Sequence, residues 1–357
     1  MKKIDSKLKT IGIVDLFCGV GGLTCGLRKA GLNVLAGYDF DLTCKFPYEY
    51  NNKTKFVHKD INSVTGKEIK SILKGHDIKV LVGCAPCQPF SNHQKDKANR
   101  KLHKEWGLLY QYERLINEVK PDIVSMENVP EIVKEKVFED FVKNLKDKKY
   151  FVNYYVVDAA KYGVPQRRRR LILLAAKDSE IKIIDQTHKT PVTVRDTIKG
   201  LPAIKAGEQS KKDLLHKSNK LLDINLKRIK YSKPGGTWRD WPKELVLKCH
   251  KKQTGKTYSA VYGRMEWDKV SPTITTQFTC YGTGRFGHPT QNRALSLREG
   301  ALLQTFPKDY EFVQKDQNIN MCDTARQIGN AVPPRLGEII GESIIKHLDV
   351  IYKIFKR

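Results

Sequence analysis

The chain has 357 residues, enough for one large α/β domain and a smaller one, each with its own core. Lys and Arg number 65 against 39 Asp and Glu; the net charge of +26 makes a polyanion, nucleic acid first, the expected partner, although a lysine-heavy proteome would give the same balance. No run reaches the ~18 uninterrupted apolar residues of a membrane span, Asp15 interrupts the first apolar run before a signal-type segment forms, and the eight cysteines lack disulfide-framework spacing. A membrane span and a secreted scaffold are excluded on these grounds, and a cytoplasmic location is expected.

Residues 11–17 are apolar and β-branched and predict a strand, followed by a tight turn at 18–22 and a helix over 23–30 that Gly31 is placed to end in the left-handed conformation. A second strand is predicted over 33–38. Asp39 at its end lies 20 residues past Gly19, the distance at which a Rossmann-type unit sets an acid on a ribose hydroxyl. A third strand, 55–58, leads to Asp60. The glycine turn departs from the dinucleotide fingerprint, since Thr24 stands where the last glycine would fall. A turn without the full phosphate cradle still suits a nucleoside lacking pyrophosphate, such as S-adenosylmethionine. Taken singly, Asp39 and Asp60 read equally well as a turn residue and a helix N-cap.

The fourth strand, 79–82, runs into Gly83-Cys84-Ala85-Pro86-Cys87-Gln88-Pro89-Phe90-Ser91. Pro86 and Pro89 forbid helix and ladder pairing around Cys87, so its thiol is presented on a stiff turn beyond a strand's carboxyl end, where open α/β sheets bind ligands. That placement suits a nucleophile. A Cys84–Cys87 redox pair or half a zinc site competes with it. Against both, the chain has no second Cys-x-x-Cys and no ligand-spaced His pair, and Ser91-Asn92-His93-Gln94 reads as loop rather than helix start; no metal site is expected. A helix over 108–119 and a fifth strand over 122–125, leading to Glu127-Asn128, continue the alternation. Strands alternating with helices predict a doubly wound, mostly parallel α/β sheet.

Two strand-like runs follow, 151–158 and 171–176, with Gln166-Arg167-Arg168-Arg169-Arg170 leading into the second. As part of a strand, Arg168 and Arg170 would share one face. Between 178 and 290 the α/β rhythm disappears: 22 Lys and Arg stand against 11 Asp and Glu, with Pro-Gly-Gly at 234–236 and three of the four tryptophans, Trp238, Trp241 and Trp267. Aromatics among basic residues and glycine turns suit a nucleic-acid-reading module of loops and short strands, with a plain small β-rich domain as the alternative. Beyond Gly300 the chain turns helical, and 325–337 leads into a terminal helix, 338–354.

In this order the motifs resemble those of the C5-cytosine DNA methyltransferases. Residues 15–22 (Asp-Leu-Phe-Cys-Gly-Val-Gly-Gly) are similar to the family's cofactor loop, Pro86-Cys87-Gln88 to its nucleophile motif and Glu127-Asn128-Val129 to its acid motif. Gln166-x-Arg168-x-Arg170 matches its arginine motif, 293–307 the motif that scaffolds target recognition, and Gln327-x-Gly329-Asn330-x-Val332-Pro333 its last. Cys18 stands for the more usual alanine, Asp39 for the more usual glutamate, and Asn92-His93-Gln94 for the small residue and glycine that usually follow Ser91.

The resemblance implies a catalytic and cofactor-binding domain over 1–180 and 320–357, of the S-adenosylmethionine-dependent methyltransferase type. A smaller, irregular, β-rich target-recognition domain over 181–319 would read DNA through about 190–290. It implies that Cys87 adds to C6 of a flipped cytosine, Glu127 serves N3, Arg170 contacts O2, and Arg168 orders the catalytic loop or grips a phosphate. Gln88 and Ser91 would hold DNA backbone. The methyl donor, leaving as S-adenosylhomocysteine, would lie against Phe17, Gly19, Gly21, Gly22, Asp39, Phe40, Asp60, Ile61, Pro86, Leu108, Asn330 and Val332. Double-stranded DNA is the implied partner, with a monomeric enzyme and a cognate restriction endonuclease that acts without a stable complex. An RNA cytosine methyltransferase with the same motifs and a non-catalytic DNA-binding protein are the rival readings.

Overall fold

The alternating apolar runs form one seven-stranded sheet in the computed structural model, which describes residues 9–86, 107–255 and 257–352. In chain order the elements are β1 (Ile11–Leu16), α1 (Gly22–Lys29), β2 (Val34–Asp39), α2 (Lys45–Asn52), β3 (Lys55–His58), α3 (Gly66–Ile72) and β4 (Ile78–Gly83). Then come α4 (Gly107–Val119), β5 (Ile123–Asn128), α5 (Lys136–Asp147), β6 (Phe151–Asp158) and β7 (Arg169–Ala176). The sheet order is β3-β2-β1-β4-β5-β7-β6. β1 to β5 pair in parallel, as the helical crossovers require, whereas β7 runs antiparallel to both β5 and β6. The link between β6 and β7, residues 159–168, is too short for the dozen or so residues of a parallel crossover.

The central strands β4 and β5 are buried along almost their whole length, which is why β4 reads as a nearly continuous apolar run rather than an alternating one. One face of the sheet packs on α4 and α5 through Leu109, Tyr112, Leu115, Phe138, Phe141 and Leu145. On β5 the apolar run is broken by Ser125, Glu127 and Asn128, all buried. Buried polar groups at a strand's end need partners or a purpose.

By contacts the chain divides into two units. The first holds the described residues up to Asp158, then Arg169–Asp185 and those from Pro334 onward; the second holds Ala159–Arg168 and Gln186–Pro333. In the second lie α6 (Val194–Ile198), α7 (Asp223–Tyr231), α8 (Lys248–Lys251), α9 (Leu297–Leu303) and α10 (Met321–Asn330), before the chain rejoins the first with α11 (Pro334–Tyr352). α11 seats on α1 because Gly26 lets the backbones meet. A Cβ there would stand 2.1 Å from Pro334 O and 2.4 Å from Glu338 N. Among the described residues no helix is long and apolar enough to cross a membrane.

The second unit is irregular, as expected, but not β-rich: its described residues contain isolated bridges, such as Arg264 with Gly287, and no strand. Side chains satisfy its backbone instead. The Arg264 guanidinium, 4% exposed, donates to the carbonyls of Ile229, Ser232, His288 and Gln291 and to the side chain of Asn292. The tryptophan expectation also changes. Trp238 and Trp241 are buried with Leu245 in a small core. Trp238 Nε1 donates to Tyr258 O, and Trp241 Nε1 to Ser232 Oγ. These rings, set among cations, hold the module together rather than face a nucleic acid.

Candidate active site

Strand order reverses between β1 and β4, and the loops beyond the carboxyl ends of β1 to β5 share one edge of the sheet, the place where open α/β sheets take ligands. At the end of β1 the backbone is forced into the left-handed region three times, at Phe17 (φ 59°), Gly19 (φ 50°) and Gly21 (φ 87°). For a bulky residue such as Phe17 that conformation is strained, and strain of this kind gathers at ligand sites. Asp39, at the end of β2, secures the turn: its Oδ2 accepts Gly19 N–H at 2.8 Å and its Oδ1 accepts Asp41 N–H at 2.9 Å. Burial raises the Asp39 carboxyl pKa, and these backbone bonds partly offset that rise.

A Cβ built on Gly19 meets nothing within 4 Å, and Gly22 opens α1. Phe40 leaves its ring 69% exposed beside the turn, and Phe17 is half-buried. A large aromatic left exposed, an open glycine turn and a half-buried carboxylate fit a nucleoside with ring and ribose to bind. Beyond β3, Asp60 Oδ1 caps the short turn Ile61–Ser63 by accepting Asn62 N–H at 2.9 Å, the N-cap role, while Ile61 is buried. Pro86 follows β4, and Leu108 near the start of α4 packs on the sheet's core.

Sequence reasoning gave Asp15 no role of its own, although it is a charged residue inside an otherwise apolar strand and opens the 15–22 motif. It is 1% exposed, and its Oδ2 accepts the Thr24 hydroxyl at 2.7 Å, which in turn lies 3.0 Å from the Tyr48 hydroxyl. Burial pushes the Asp15 carboxyl up to about 7, with the charge of Asp39 adding and the Thr24 hydrogen bond opposing. A raised native pKa gives stability that is fully present below the unfolded value near 4 and is lost as pH rises through about 7. That gap corresponds to about 4 kcal/mol at most. Asp15→Asn is therefore expected to flatten the decline of stability across this window. Melting the two proteins at about pH 5 and about pH 8 checks it: a wild-type-to-variant difference that stays constant would refute the assignment.

On β5 the register sets Glu127 opposite Ile172 and Asn128 opposite Leu171 of β7, so the antiparallel strand delivers Arg170 to the same edge. Glu127, 3% exposed, accepts the Cys84 thiol at Oε2 (2.9 Å), and its Oε1 lies 3.0 Å from Arg170 Nε. That Nε–H is not aimed at it, and among the described residues Oε1 accepts no hydrogen bond. Asn128 Nδ2 donates to Ala85 O, a second tie between the β4 and β5 ends.

Arg168 does not share a strand face with Arg170, because β7 begins at Arg169. It lies in the second unit, 3% exposed, and donates to Ile274 O (3.3 Å) and Ala331 O (3.4 Å). Gln166 and Gln304 pair there: Gln166 Nε2 donates to Gln304 Oε1 at 2.7 Å, and Gln304 Nε2 donates to Ile328 O at 2.7 Å and Ala331 O at 3.2 Å. Buried amides thus fix the backbone around exposed Asn330 and buried Val332. The expectations for Cys87, Gln88 and Ser91 lie outside the described residues.

A family model for C-5 cytosine-specific DNA methylase matches residues 11–346. The type II methylase M.HgiDII of Herpetosiphon aurantiacus is 51% identical over 347 residues, 96% of this chain and 97% of that protein. The type II methyltransferase M.PspPI of Psychrobacter is 31% identical, covering 97% of this chain and 81% of its own. Among solved structures, an E. coli prophage protein described as a DNA modification methyltransferase superposes with a TM-score of 0.73 at 23% identity, covering 95% of this chain and all of that one. The Entamoeba histolytica methyltransferase EhMeth superposes with a TM-score of 0.62 at 16% identity, covering 95% of this chain and 99% of that one. At these identities the two structures share the fold.

Proposed function

The chain belongs to the C-5 cytosine-specific DNA methylases, and from that premise we propose that it methylates C5 of a cytosine flipped out of a specific duplex DNA sequence, through a covalent bond from Cys87 to C6. It is a DNA (cytosine-5-)-methyltransferase, and the type II names of its relatives support a place in restriction-modification beside an endonuclease that reads the same sequence. The observation that carries the mechanism is the buried Glu127, anchored at Oε2 with Oε1 left to accept from a ligand, at the ligand-binding edge of the sheet.

Cytosine C5 is a poor nucleophile, and addition of a thiolate at C6 turns the ring into an enamine that can react at C5; once C5 carries the methyl group, loss of its proton to a base expels the Cys87 thiolate from C6 and restores the ring. Glu127 is suited to hold a proton at N3 and accept from the exocyclic amine, which offsets the charge created by that addition. Arg170, whose Nε lies 3.0 Å from Glu127 Oε1, would contact O2 of the same base. When bound, S-adenosylmethionine supplies a sulfonium methyl as the electrophile. Phe17 and Phe40 would cover its adenine, Asp39 would take the ribose, and Asp60, Ile61, Pro86 and Leu108 would line the rest; the family resemblance adds Asn330 and Val332. Gln88 and Ser91 would hold phosphates, and Arg168 would grip a phosphate or order the catalytic loop. The base must leave the stack for any of this to occur, at a cost of a few kcal/mol. The 190–290 region would read the sequence, and the net charge of +26 supports salt-dependent attraction to the duplex.

The test is transfer of a labelled methyl group from S-adenosylmethionine to duplex DNA and, separately, to tRNA. Label in DNA is expected, together with covalent capture of the protein by DNA carrying 5-fluorocytosine, whose fluorine cannot leave as a proton does. Label in tRNA alone would overturn the substrate assignment.

A further inference from the structure

Cys84 is the first residue beyond β4, in the stretch that leads to Cys87, and the mechanism above gives it no part. Its position is tightly defined. The Cys84 backbone N–H donates to Leu16 O of β1 at 3.3 Å, and the next carbonyl, Ala85 O, accepts Asn128 Nδ2 at 3.1 Å. Between these two ties the Cys84 thiol donates to Glu127 Oε2 at 2.9 Å. The ends of β4 and β5 are therefore stapled twice, residue 84 to 127 and residue 85 to 128.

The second observation is the state of the other carboxylate oxygen. Glu127 is 3% exposed, and its Oε1 accepts no hydrogen bond among the described residues, although Arg170 Nε lies 3.0 Å away. Arg170 instead turns Nη1 to its own neighbour, donating to Arg169 O at 2.7 Å. A carboxylate this buried needs donors on both oxygens. The thiol satisfies one and, in doing so, chooses which oxygen stays available.

We propose that Cys84 is a positioning residue for the reaction: its S–H···Oε2 bond sets the Glu127 carboxylate so that Oε1 meets the flipped base, an inference that rests on the methyltransferase reading of Glu127. A thiol is a weak donor. It fixes the rotation of the carboxylate and leaves Oε1 to the base. Cys84 touches neither substrate nor cofactor in this role and acts through Glu127. Losing the anchor lets a short side chain swing, and misplacement by about 1 Å costs catalysis up to ~100-fold.

The experiment measures kcat and KM for duplex DNA in the full-length wild type, Cys84→Ala and Cys84→Ser, and single-turnover rates of Glu127→Gln with and without Cys84→Ala. Cys84→Ala is expected to lower kcat about tenfold or more with KM for DNA unchanged, and Cys84→Ser, which restores a donor, to recover to within about threefold of wild type. In the Glu127→Gln background, removing the thiol is expected to cost nothing further, because residues acting as a unit are not additive. Melting temperatures identify a variant that fails merely by unfolding, and the serine protein then carries the comparison. Wild-type kcat in Cys84→Ala, or an equal loss in both backgrounds, would overturn the proposal while leaving the methyltransferase reading intact. A wild type that neither labels DNA nor is captured by 5-fluorocytosine DNA would overturn that reading, and this proposal with it.

Discussion

Cys87→Ala is expected to abolish methyl transfer while leaving DNA binding in place. In the proposed mechanism nothing else in the site could replace it: Glu127 and Arg170 would stabilise charge that appears only after the thiolate has added to C6, so without the addition there would be nothing for them to stabilise. Binding is expected to survive because it would draw on the chain's 65 Lys and Arg rather than on one sulfur atom. Glu127→Gln makes a useful contrast. The amide fills the same space but cannot deliver a proton, so the loss expected is the 10²–10⁴-fold typical of a general acid, about 3 to 5 kcal/mol, with a residual rate still measurable. Capture by 5-fluorocytosine DNA separates the two variants, since the alanine protein has no sulfur to trap and the glutamine protein does. A Cys87→Ala protein that methylates at the wild-type rate would end the covalent mechanism.

Arg293→Met is expected to destabilise the second unit by about 3–5 kcal/mol, the cost of breaking a buried ion pair from one side. Arg293 has no exposed surface, and its fork meets Glu299 on both sides: Nη1 to Oε2 and Nη2 to Oε1, each 2.7 Å. Its Nε also donates to Ile204 O and to Gln291 Oε1. Burial works against the Glu299 charge, but the Arg293 bonds outweigh it and hold the carboxyl below the usual range. Glu299 spends that charge locally, accepting Ser296 N–H at 2.7 Å in the capping box that starts α9. His288, 3.6 Å from Glu299, cannot take over. Burial first, then Arg293, Arg264 and His216, push it down to about 4 against the opposing pull of Glu299, so it stays neutral near physiological pH. Arg293→Lys should recover little, because an ammonium cannot fork. Replacing Glu299 with Gln in the Arg293→Met background should recover part of the loss, as no charge is then stranded. Denaturant unfolding measures all three, and a loss below about 1 kcal/mol for Arg293→Met would refute the pair's importance.

The sequence alone determined the alternation of strands and helices and the strand ends at which the candidate residues Asp39, Cys84 and Glu127 fall. Hydrophobic period and turn chemistry act over a few residues and survive in any context, so β3 and β6 fell at 55–58 and 151–158 as read and the other strands within two residues, except that β5 runs on to Asn128, three residues beyond the expected Ser125. What tertiary structure decided was every pairing between distant segments. The antiparallel β7 brings Arg170 to Glu127, across 43 positions Cys84 reaches the same carboxylate, and Asp15 is shut away from water with Thr24. It also turned Trp238 and Trp241 inward and let Arg264 do the work expected of strands. A tryptophan beside a lysine has the same local signature whether it faces a ligand or a core, because burial depends on what the rest of the chain packs against it.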